Sequence, residues 1–145
     1  MFALGPAGGL GWGLGAALGA KLASPDSLVV ATLGDGAYMF SNPMVGHWVS
    51  GKHNLPILTI IFNNSRYGAV RNSTLAMFKD GASGETDGRE LADLDPAPPY
   101  DEMARAQGAY TERVEKPADL PDALIRARDA VLNGRQALLN VITPY

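Results

Sequence analysis

Two short clusters of small polar residues in this 145-residue chain have the composition of a metal and oxyanion site. The first cluster is Gly34-Asp35-Gly36 and the second is Asn63-Asn64-Ser65. Asp35 offers a carboxylate oxygen, Asn64 an amide oxygen and Arg66 a backbone carbonyl oxygen. Mg²⁺ favours oxygen ligands in octahedral geometry and usually keeps phosphate oxygens and water among them. The two clusters therefore predict a magnesium-bound phosphate.

Each cluster follows an apolar, largely β-branched run that is typical of a buried parallel strand. These runs are Leu28 to Leu33 and Ile57 to Phe62. The segment between them, Ser41 to His53, is long enough for a helix. Ligands of such α/β units bind at the carboxyl ends of the strands, and both polar clusters lie there.

Backbone groups beside the clusters are suited to an anion. Gly34 and Gly36 allow the main chain to approach a bulky phosphate closely. Tyr67, Gly68 and Ala69 begin the next predicted helix, where free N–H groups can bind phosphate oxygens. We predict that these five residues contact the phosphate.

The paired clusters resemble the thiamine diphosphate-binding motif, in which Gly-Asp-Gly is followed after an interval by Asn-Asn at the end of a strand. Asn64 follows Asp35 by 29 residues, slightly more than in many members. The flanking sequences GGLGWGLGAALGAKLA and NNSRYGAVR are similar as well. Over nearly its whole length the chain is similar to the C-terminal, diphosphate-binding domain of the acetolactate synthase, benzoylformate decarboxylase and pyruvate decarboxylase group.

This resemblance implies further contacts with the cofactor. It makes Asn64, the second of the pair, the metal ligand. It also places the aminopyrimidine ring at the backbone carbonyl of Gly8, beside Gly9, and the thiazolium ring on the side chain of Leu10. Several relatives carry serine where this chain has Ala37, so only the backbone N–H of Ala37 is expected to contact the diphosphate.

The resemblance also implies an activity, a lyase or transferase reaction on 2-oxo acids with thiamine diphosphate and Mg²⁺ as cofactors. In the family, a glutamate on a separate pyrimidine-binding domain, normally from another subunit, activates the cofactor. No glutamate of this chain matches that role, so we expect no catalytic residue here and no activity from this chain alone. Three alternatives stay open: a fragment of a longer, homo-oligomeric chain, one subunit of a split enzyme, or a non-catalytic relative that binds the diphosphate.

The pattern as a whole predicts one three-layer, doubly wound α/β domain with a mainly parallel sheet flanked by helices. Further elements are expected at Leu10–Ala23, Tyr67–Met77, Tyr100–Gln107 and Leu120–Asn133 as helices, and at Ala109–Val114 and Ala137–Ile142 as strands. The resemblance implies that residues 1–145 lack the family's first strand and helix, which would leave a sheet edge and some apolar surface uncovered.

Two segments carry more specific expectations. In the helix after Ser41, which we predict as its N-cap, i,i+4 spacing predicts a buried face made of Met44, Val45, Trp48 and Val49. His47 and His53 do not share a helix face, so packing or surface positions are favoured over a metal pair. Lys79 to Glu102 holds eight of the fifteen acidic residues and predicts a mobile surface loop, either a lid or a solvated connector.

The overall composition excludes several classes of protein. A net charge of −3 argues against nucleic acid or an anionic membrane as partner, and the chain has no cysteine for a disulfide or thiol site. Met1 to Ala23 lacks the basic start of a signal peptide, no run has the length of a membrane span, and we expect a cytoplasmic protein. A Rossmann domain is disfavoured because the glycine-rich stretch precedes the first strand instead of following it.

Overall fold

A four-stranded sheet forms the middle layer of the protein, whose computed structural model describes residues 9–86 and 92–144. The strands are Val30–Gly34 (β1), Leu58–Asn63 (β2), Tyr110–Val114 (β3) and Ala137–Ile142 (β4). Their order across the sheet is β1-β2-β4-β3, and each pairing is parallel. The predicted α/β class with a parallel sheet is confirmed.

Helices cover both faces of this sheet. They are Trp12–Ala23 (α1), Asp35–Phe40 (α2), Pro43–Lys52 (α3), Gly68–Met77 (α4), Ala82–Glu85 (α5), Tyr100–Ala106 (α6) and Leu120–Leu132 (α7), with a 3₁₀ turn at Pro117–Asp119. On one face Leu14 of α1 and Ala104 of α6 pack around Ile61 and Leu138. On the other face the small residues of α7, such as Ala127, pack against the sheet. None of the described helices is long and apolar enough to cross a bilayer.

Two short helices were not foreseen, α2 and α5, and α5 lies in the segment that we expected to be a loop. α2 begins at Asp35, directly where β1 ends at Gly34, in a segment that we expected to be a turn. Asp35 is therefore the first residue of a helix, and Tyr38 lies one turn further along the same buried face. The β4 strand, by contrast, has the predicted bounds.

The prediction for the buried face of α3 is wrong for three of its four residues, and only Val49 is partly buried and packs against the core. Met44 and Trp48 are 57% and 51% exposed and Val45 is also exposed, whereas His47 and Ser50 are buried. These two polar side chains can be buried because each finds a hydrogen-bond partner inside the domain. α3 therefore presents its large apolar residues to the outside.

The start of α3 also differs from the prediction. Asn42, in the left-handed conformation with φ of 51°, holds the N-cap position, and its side chain makes no capping bond. The Ser41 hydroxyl instead donates to the carbonyl of Tyr38 at 2.5 Å. Ser41 thus closes the end of α2 instead of beginning α3.

His47 belongs to a buried hydrogen-bonded network. Its Nε2 lies 2.8 Å from the Tyr38 hydroxyl and its Nδ1 lies 2.8 Å from Oε1 of Gln136. The amide nitrogen of Gln136 donates to the carbonyls of His47 and Gln107, so its oxygen must be the acceptor. Nδ1 therefore carries the proton and Nε2 accepts from Tyr38. His47 has a packing role, and His53 is exposed.

The His47 ring gives the fold a pH dependence. Burial lowers the pKa of His47 below its ordinary 6.5, and the bond to Gln136 offsets part of this. The unfolded chain therefore takes up a proton before the folded one, so the stability contributed by the neutral ring is present above about pH 6.5 and is lost as the pH falls towards the lowered pKa. We expect urea denaturation to show a smaller free energy of unfolding at about pH 5.5 than at about pH 7.5.

The variant His47→Gln isolates this effect, because it removes the titrating ring while keeping a polar side chain. We expect His47→Gln to be less stable than the wild type at the higher pH and to lose less stability on acidification. If the two proteins lose equal stability between the two pH values, His47 does not cause the effect.

Candidate diphosphate site

The two predicted metal-ligand side chains converge at one edge of the sheet. β1 and β2 are neighbours, so their carboxyl ends lie side by side, with Gly34 in register with Phe62. The backbone N–H of Arg66 is shared between Oδ2 of Asp35 at 3.2 Å and Oδ1 of Asn64 at 3.1 Å. The side-chain oxygens of Asp35 and Asn64 thus lie close to the same nitrogen atom, although the two residues are 29 positions apart.

The carboxylate of Asp35 is buried and accepts hydrogen bonds from backbone N–H groups. Only 2% of the residue is exposed, and its Oδ1 accepts the N–H of Gly36 at 2.9 Å. Burial raises the pKa of Asp35, whereas hydrogen bonds from the backbone of Gly36, Arg66 and Ser65 act in the opposite direction. A desolvated carboxylate of this kind would be strongly stabilised by a cation.

The second cluster is held by a chain of side-chain hydrogen bonds. Ser65 adopts a left-handed conformation with φ of 56°, and its N–H donates to Oδ1 of Asn63. Nδ2 of Asn63 donates to Asn140 in β4, and Nδ2 of Asn140 donates to Asp101 in α6, each at 3.1 Å. Asn63 therefore faces the interior and fixes the loop, which leaves Asn64 as the asparagine that faces Asp35.

The acidic segment returns to this loop. The N–H of Tyr67 donates to the carbonyl of Ala92 at 2.8 Å, and the N–H of Leu94 donates to the carbonyl of Ser65 at 2.7 Å. Arg66 and Asp93 form an antiparallel bridge between these bonds. Residues 87–91 of the predicted acidic loop lie outside the described residues, and the choice between a lid and a connector stays a prediction.

A cavity of about 290 Å³ opens above both clusters. It is lined by Leu10, Gly34, Asp35, Gly36, Ala37, Phe62, Asn64, Arg66, Tyr67, Gly68, Ala69, Val70 and Thr143. The predicted site residues are thus brought together, except that Gly9 does not line the cavity and Gly8 lies outside the described residues.

Thr143 and Phe62 also line the cavity and were not among the site residues predicted from the sequence. Thr143 follows the end of β4, and its N–H donates to the carbonyl of Asn63 at 2.9 Å. The carboxyl end of β4 lies beside that of β2, so residues just after β4 border the same cavity. The strand order supplies this information, and the linear sequence does not.

The residues at the cavity fit a metal-bound diphosphate. A methyl group added at Gly36 would lie 2.5 Å from Cδ1 of Tyr67 and would force that ring to move, while one added at Gly34 would meet no atom within 4 Å. The described residues contain no group of three or more His, Cys, Asp and Glu side chains that could hold a metal ion by itself. One carboxylate with neutral oxygens instead leaves ligand positions for phosphate oxygens.

A second cavity, of about 340 Å³, lies at the opposite ends of the strands. Its lining includes Leu28 and Pro56, which precede β1 and β2, and the buried Lys21, whose Nζ donates to the carbonyl of Ser27 at 2.8 Å. No predicted site residue lines it. The residues predicted to contact the metal ion and the phosphate therefore lie at the first cavity, at the carboxyl ends of the strands.

The family can now be assigned. Residues 2–141 match the family model described as "Thiamine pyrophosphate enzyme, C-terminal TPP binding domain". The chain belongs to this family. The resemblance seen in the sequence is thereby confirmed, and thiamine diphosphate is the cofactor of the family.

Similar proteins agree with this assignment of a thiamine diphosphate-binding domain. The chain is 38% identical over 139 residues to the acetolactate synthase large subunit IlvG of Mycobacterium tuberculosis, covering 96% of this chain and 23% of that protein. It is 37% identical over 144 residues to the 2-hydroxyacyl-CoA lyase of Oryza sativa subsp. japonica, covering 95% and 23%. The structure of the thiamine diphosphate-dependent 4-hydroxybenzoylformate decarboxylase of Rhodococcus jostii RHA1 has a TM-score of 0.76, 28% identity, and coverage of 96% and 24%. The thiamine diphosphate-binding domain thus spans about a quarter of the length of these relatives.

Proposed function

We propose that this chain holds the Mg²⁺-bound diphosphate of thiamine diphosphate in an enzyme that acts on 2-oxo acids. The metal ligands are the carboxylate of Asp35, the amide oxygen of Asn64 and the backbone carbonyl of Arg66. The observation that carries this proposal is the convergence of the Asp35 and Asn64 oxygens on the N–H of Arg66. Mg²⁺ bound there would replace that N–H as the shared partner of the two oxygens.

The diphosphate would lie along the backbone at the ends of β1 and β2. Gly34, Gly36 and Ala37 border the cavity at the start of α2, and Tyr67, Gly68 and Ala69 border it at the start of α4. The N–H groups in the first turn of α4 have no partner within that helix and carry the positive end of its dipole. The N–H groups of Gly68 and Ala69 supply donors for the phosphate oxygens. Those predicted at Tyr67 and Gly36 already donate to the carbonyl of Ala92 and to Oδ1 of Asp35, so these two residues border the diphosphate without donating a free N–H.

The rings of the cofactor would extend towards Leu10, which is 39% exposed and lines the cavity. When bound, thiamine diphosphate supplies the electron sink that decarboxylation or carboligation of a 2-oxo acid requires. The chain's own contribution is to fix the diphosphate and to exclude water with apolar side chains such as Leu10 and Val70. Both decarboxylases and acetolactate synthase-like transferases fit this role.

A pyrimidine-binding domain is the proposed partner, and its docking surface adjoins the site. Phe40, Met44, Val45 and Trp48 are large, apolar and more than half exposed on α2 and α3, and we call them the α2–α3 apolar surface. Large exposed apolar residues that form a patch mark interaction sites, and these four lie within nine positions of one another on two successive helices, the first of which begins with Asp35. The chain is proposed to be part of a longer enzyme, in keeping with its share of the length of its relatives. That enzyme is proposed to be cytoplasmic and homo-oligomeric.

Calorimetric titration of thiamine diphosphate into the chain tests the cofactor site. With Mg²⁺ present we expect saturable binding of one cofactor per chain. With a chelator in place of Mg²⁺ we expect binding to weaken by about tenfold or more, because the diphosphate then lies beside the Asp35 carboxylate without a bridging cation. Equal affinity with Mg²⁺ and with chelator would contradict the magnesium site.

The control adds the pyrimidine-binding domain of a relative as a separate protein. If the folded chain binds the cofactor only in this mixture, the site needs its partner, as expected for a fragment or for a split subunit. Turnover of a 2-oxo acid in the mixture would exclude a non-catalytic relative. Absence of binding in both experiments would contradict the proposed function.

A further inference from the structure

Tyr100, the first residue of α6, carries a buried hydroxyl group without a hydrogen-bond partner among the described residues. The residue is 1% exposed, and its hydroxyl oxygen makes no hydrogen bond in this part of the chain. Burying a hydroxyl group without a partner costs free energy that phenylalanine at the same position would avoid. From its position in the sequence, Tyr100 was predicted only to begin a helix.

The Tyr100 ring lies against the helix that carries Asp35. It packs edge-to-face on Tyr38, with ring centroids 5.5 Å apart and an angle of 83° between the planes. Tyr38 follows Asp35 by three residues in α2, and both are buried, so they lie on the same face of that helix. Burial raises the pKa of the Tyr100 hydroxyl, and the negative charge of Asp35 and, to a smaller extent, Tyr67 raise it further. The Tyr100 ring therefore packs on the buried helix face that also carries Asp35.

The start of α6 is also tied to the second cluster. Asp101, the next residue, accepts the hydrogen bond from Asn140, which in turn accepts from Asn63. Asn63 precedes the proposed ligand Asn64. Tyr100 thus lies where α6 meets both loops of the site, and its position is fixed from two sides.

We propose that Tyr100 is a positioning residue of the metal site, whose hydroxyl donates to the Asp35 carboxylate when Mg²⁺ and the diphosphate are bound. This inference rests on the proposed function. Mg²⁺ would compete with the N–H of Arg66 for the Asp35 oxygen, which thereby loses a donor. A carboxylate accepts up to about four hydrogen bonds, and donors behind a metal ligand fix its orientation and strengthen metal binding.

The alternative is that the Tyr100 hydroxyl is only a packing defect. A second buried hydroxyl without a partner in the described residues, that of Thr59, makes a matched comparison. Thr59 lies four residues before the end of β2, in register with Ala31 and Leu138, away from the proposed ligands. The Tyr38 hydroxyl is a second comparison, because it is buried and paired with His47.

Three variants therefore separate the two explanations: Tyr100→Phe, Thr59→Val and Tyr38→Phe. The melting temperature without ligand and the Mg²⁺ affinity with thiamine diphosphate present are measured for each, under the conditions in which the wild type binds. We expect Tyr100→Phe and Thr59→Val to melt at higher temperature than the wild type, and Tyr38→Phe at lower temperature. Only Tyr100→Phe should weaken Mg²⁺ binding, by about tenfold.

Each outcome has a definite meaning. Wild-type Mg²⁺ affinity in Tyr100→Phe overturns the positioning role and leaves the proposed function intact. A lower melting temperature of Tyr100→Phe without ligand also overturns it, because the hydroxyl would then already have a partner. Failure of the wild type to bind thiamine diphosphate with Mg²⁺, alone or with a pyrimidine-binding domain, removes both proposals.

Discussion

The variant Asp35→Asn is expected to bind thiamine diphosphate in the presence of Mg²⁺ about 100-fold more weakly than the wild type, or more weakly still. Among the described residues, Asp35 is the one carboxylate that lines the cavity, so its replacement removes the negative charge that the proposed site directs at the cation. Asparagine has the same shape and can keep part of the hydrogen bonding to the backbone of Gly36 and Arg66. Titration calorimetry with Mg²⁺ gives the dissociation constants directly.

The matched control is Asp119→Asn, which removes one negative charge from an exposed residue beside α7 that makes no side-chain capping bond. Its affinity should equal that of the wild type. The free energy of unfolding of Asp35→Asn without ligand should stay within about 1 kcal/mol of the wild type, because the buried charge is removed together with its desolvation cost. Wild-type affinity in Asp35→Asn would show that the diphosphate is bound elsewhere or without this ligand.

The variant Asn140→Leu is expected to lower the free energy of unfolding by about 3 kcal/mol. Asn140 is fully buried in β4 and links Asn63 to Asp101 through two hydrogen bonds. Leucine fills a similar volume but leaves the Asn63 amide and the Asp101 carboxylate without this partner. Urea denaturation followed by circular dichroism measures the change.

The same substitution should weaken cofactor binding, because Asn63 holds the loop that presents Asn64. Asn133→Ala is the control: its side chain is exposed, donates only to the carbonyl of Asp129 in its own helix, and should cost less than about 1 kcal/mol. If Asn140→Leu loses stability but binds thiamine diphosphate with wild-type affinity, the loop is positioned by other contacts.

The sheet was largely predictable from the sequence because its strands are short apolar runs bounded by turn residues. β4 has the predicted bounds, and β1 and β2 each begin and end within two residues of the prediction. The order β1-β2-β4-β3 was not predicted. That order depends on how the crossover helices pack, and no local pattern encodes it.

The outward face of α3 shows where a hydropathy pattern misleads. Met44 and Trp48 have helical spacing, and the rule that places apolar residues inside predicts that they are buried. The protein buries His47 instead, because Tyr38 and Gln136 satisfy both ring nitrogens. Gln136 is 89 residues away in the chain, so this partner could not be seen in a local window. The apolar residues left outside are those that we propose as a docking surface.

The site itself was predictable as far as it is local in sequence. Asp35 and Asn64 each follow a strand, and two parallel neighbouring strands are enough to bring them together. Thr143 and Tyr100 have no such local signal. Thr143 reaches the cavity because β4 lies beside β2, and Tyr100 lies behind the site because its ring packs on Tyr38 of α2.

The most direct test of the metal site is a crystal structure of the complex with thiamine diphosphate and Mn²⁺ in place of Mg²⁺, together with any partner domain that binding requires. Anomalous scattering then locates the ion independently of the fitted protein. We predict one Mn²⁺ peak within coordination distance of the Asp35 carboxylate, the Asn64 amide oxygen, the Arg66 carbonyl and two diphosphate oxygens. A bound diphosphate whose Mn²⁺ has neither Asp35 nor Asn64 as a ligand would contradict the account.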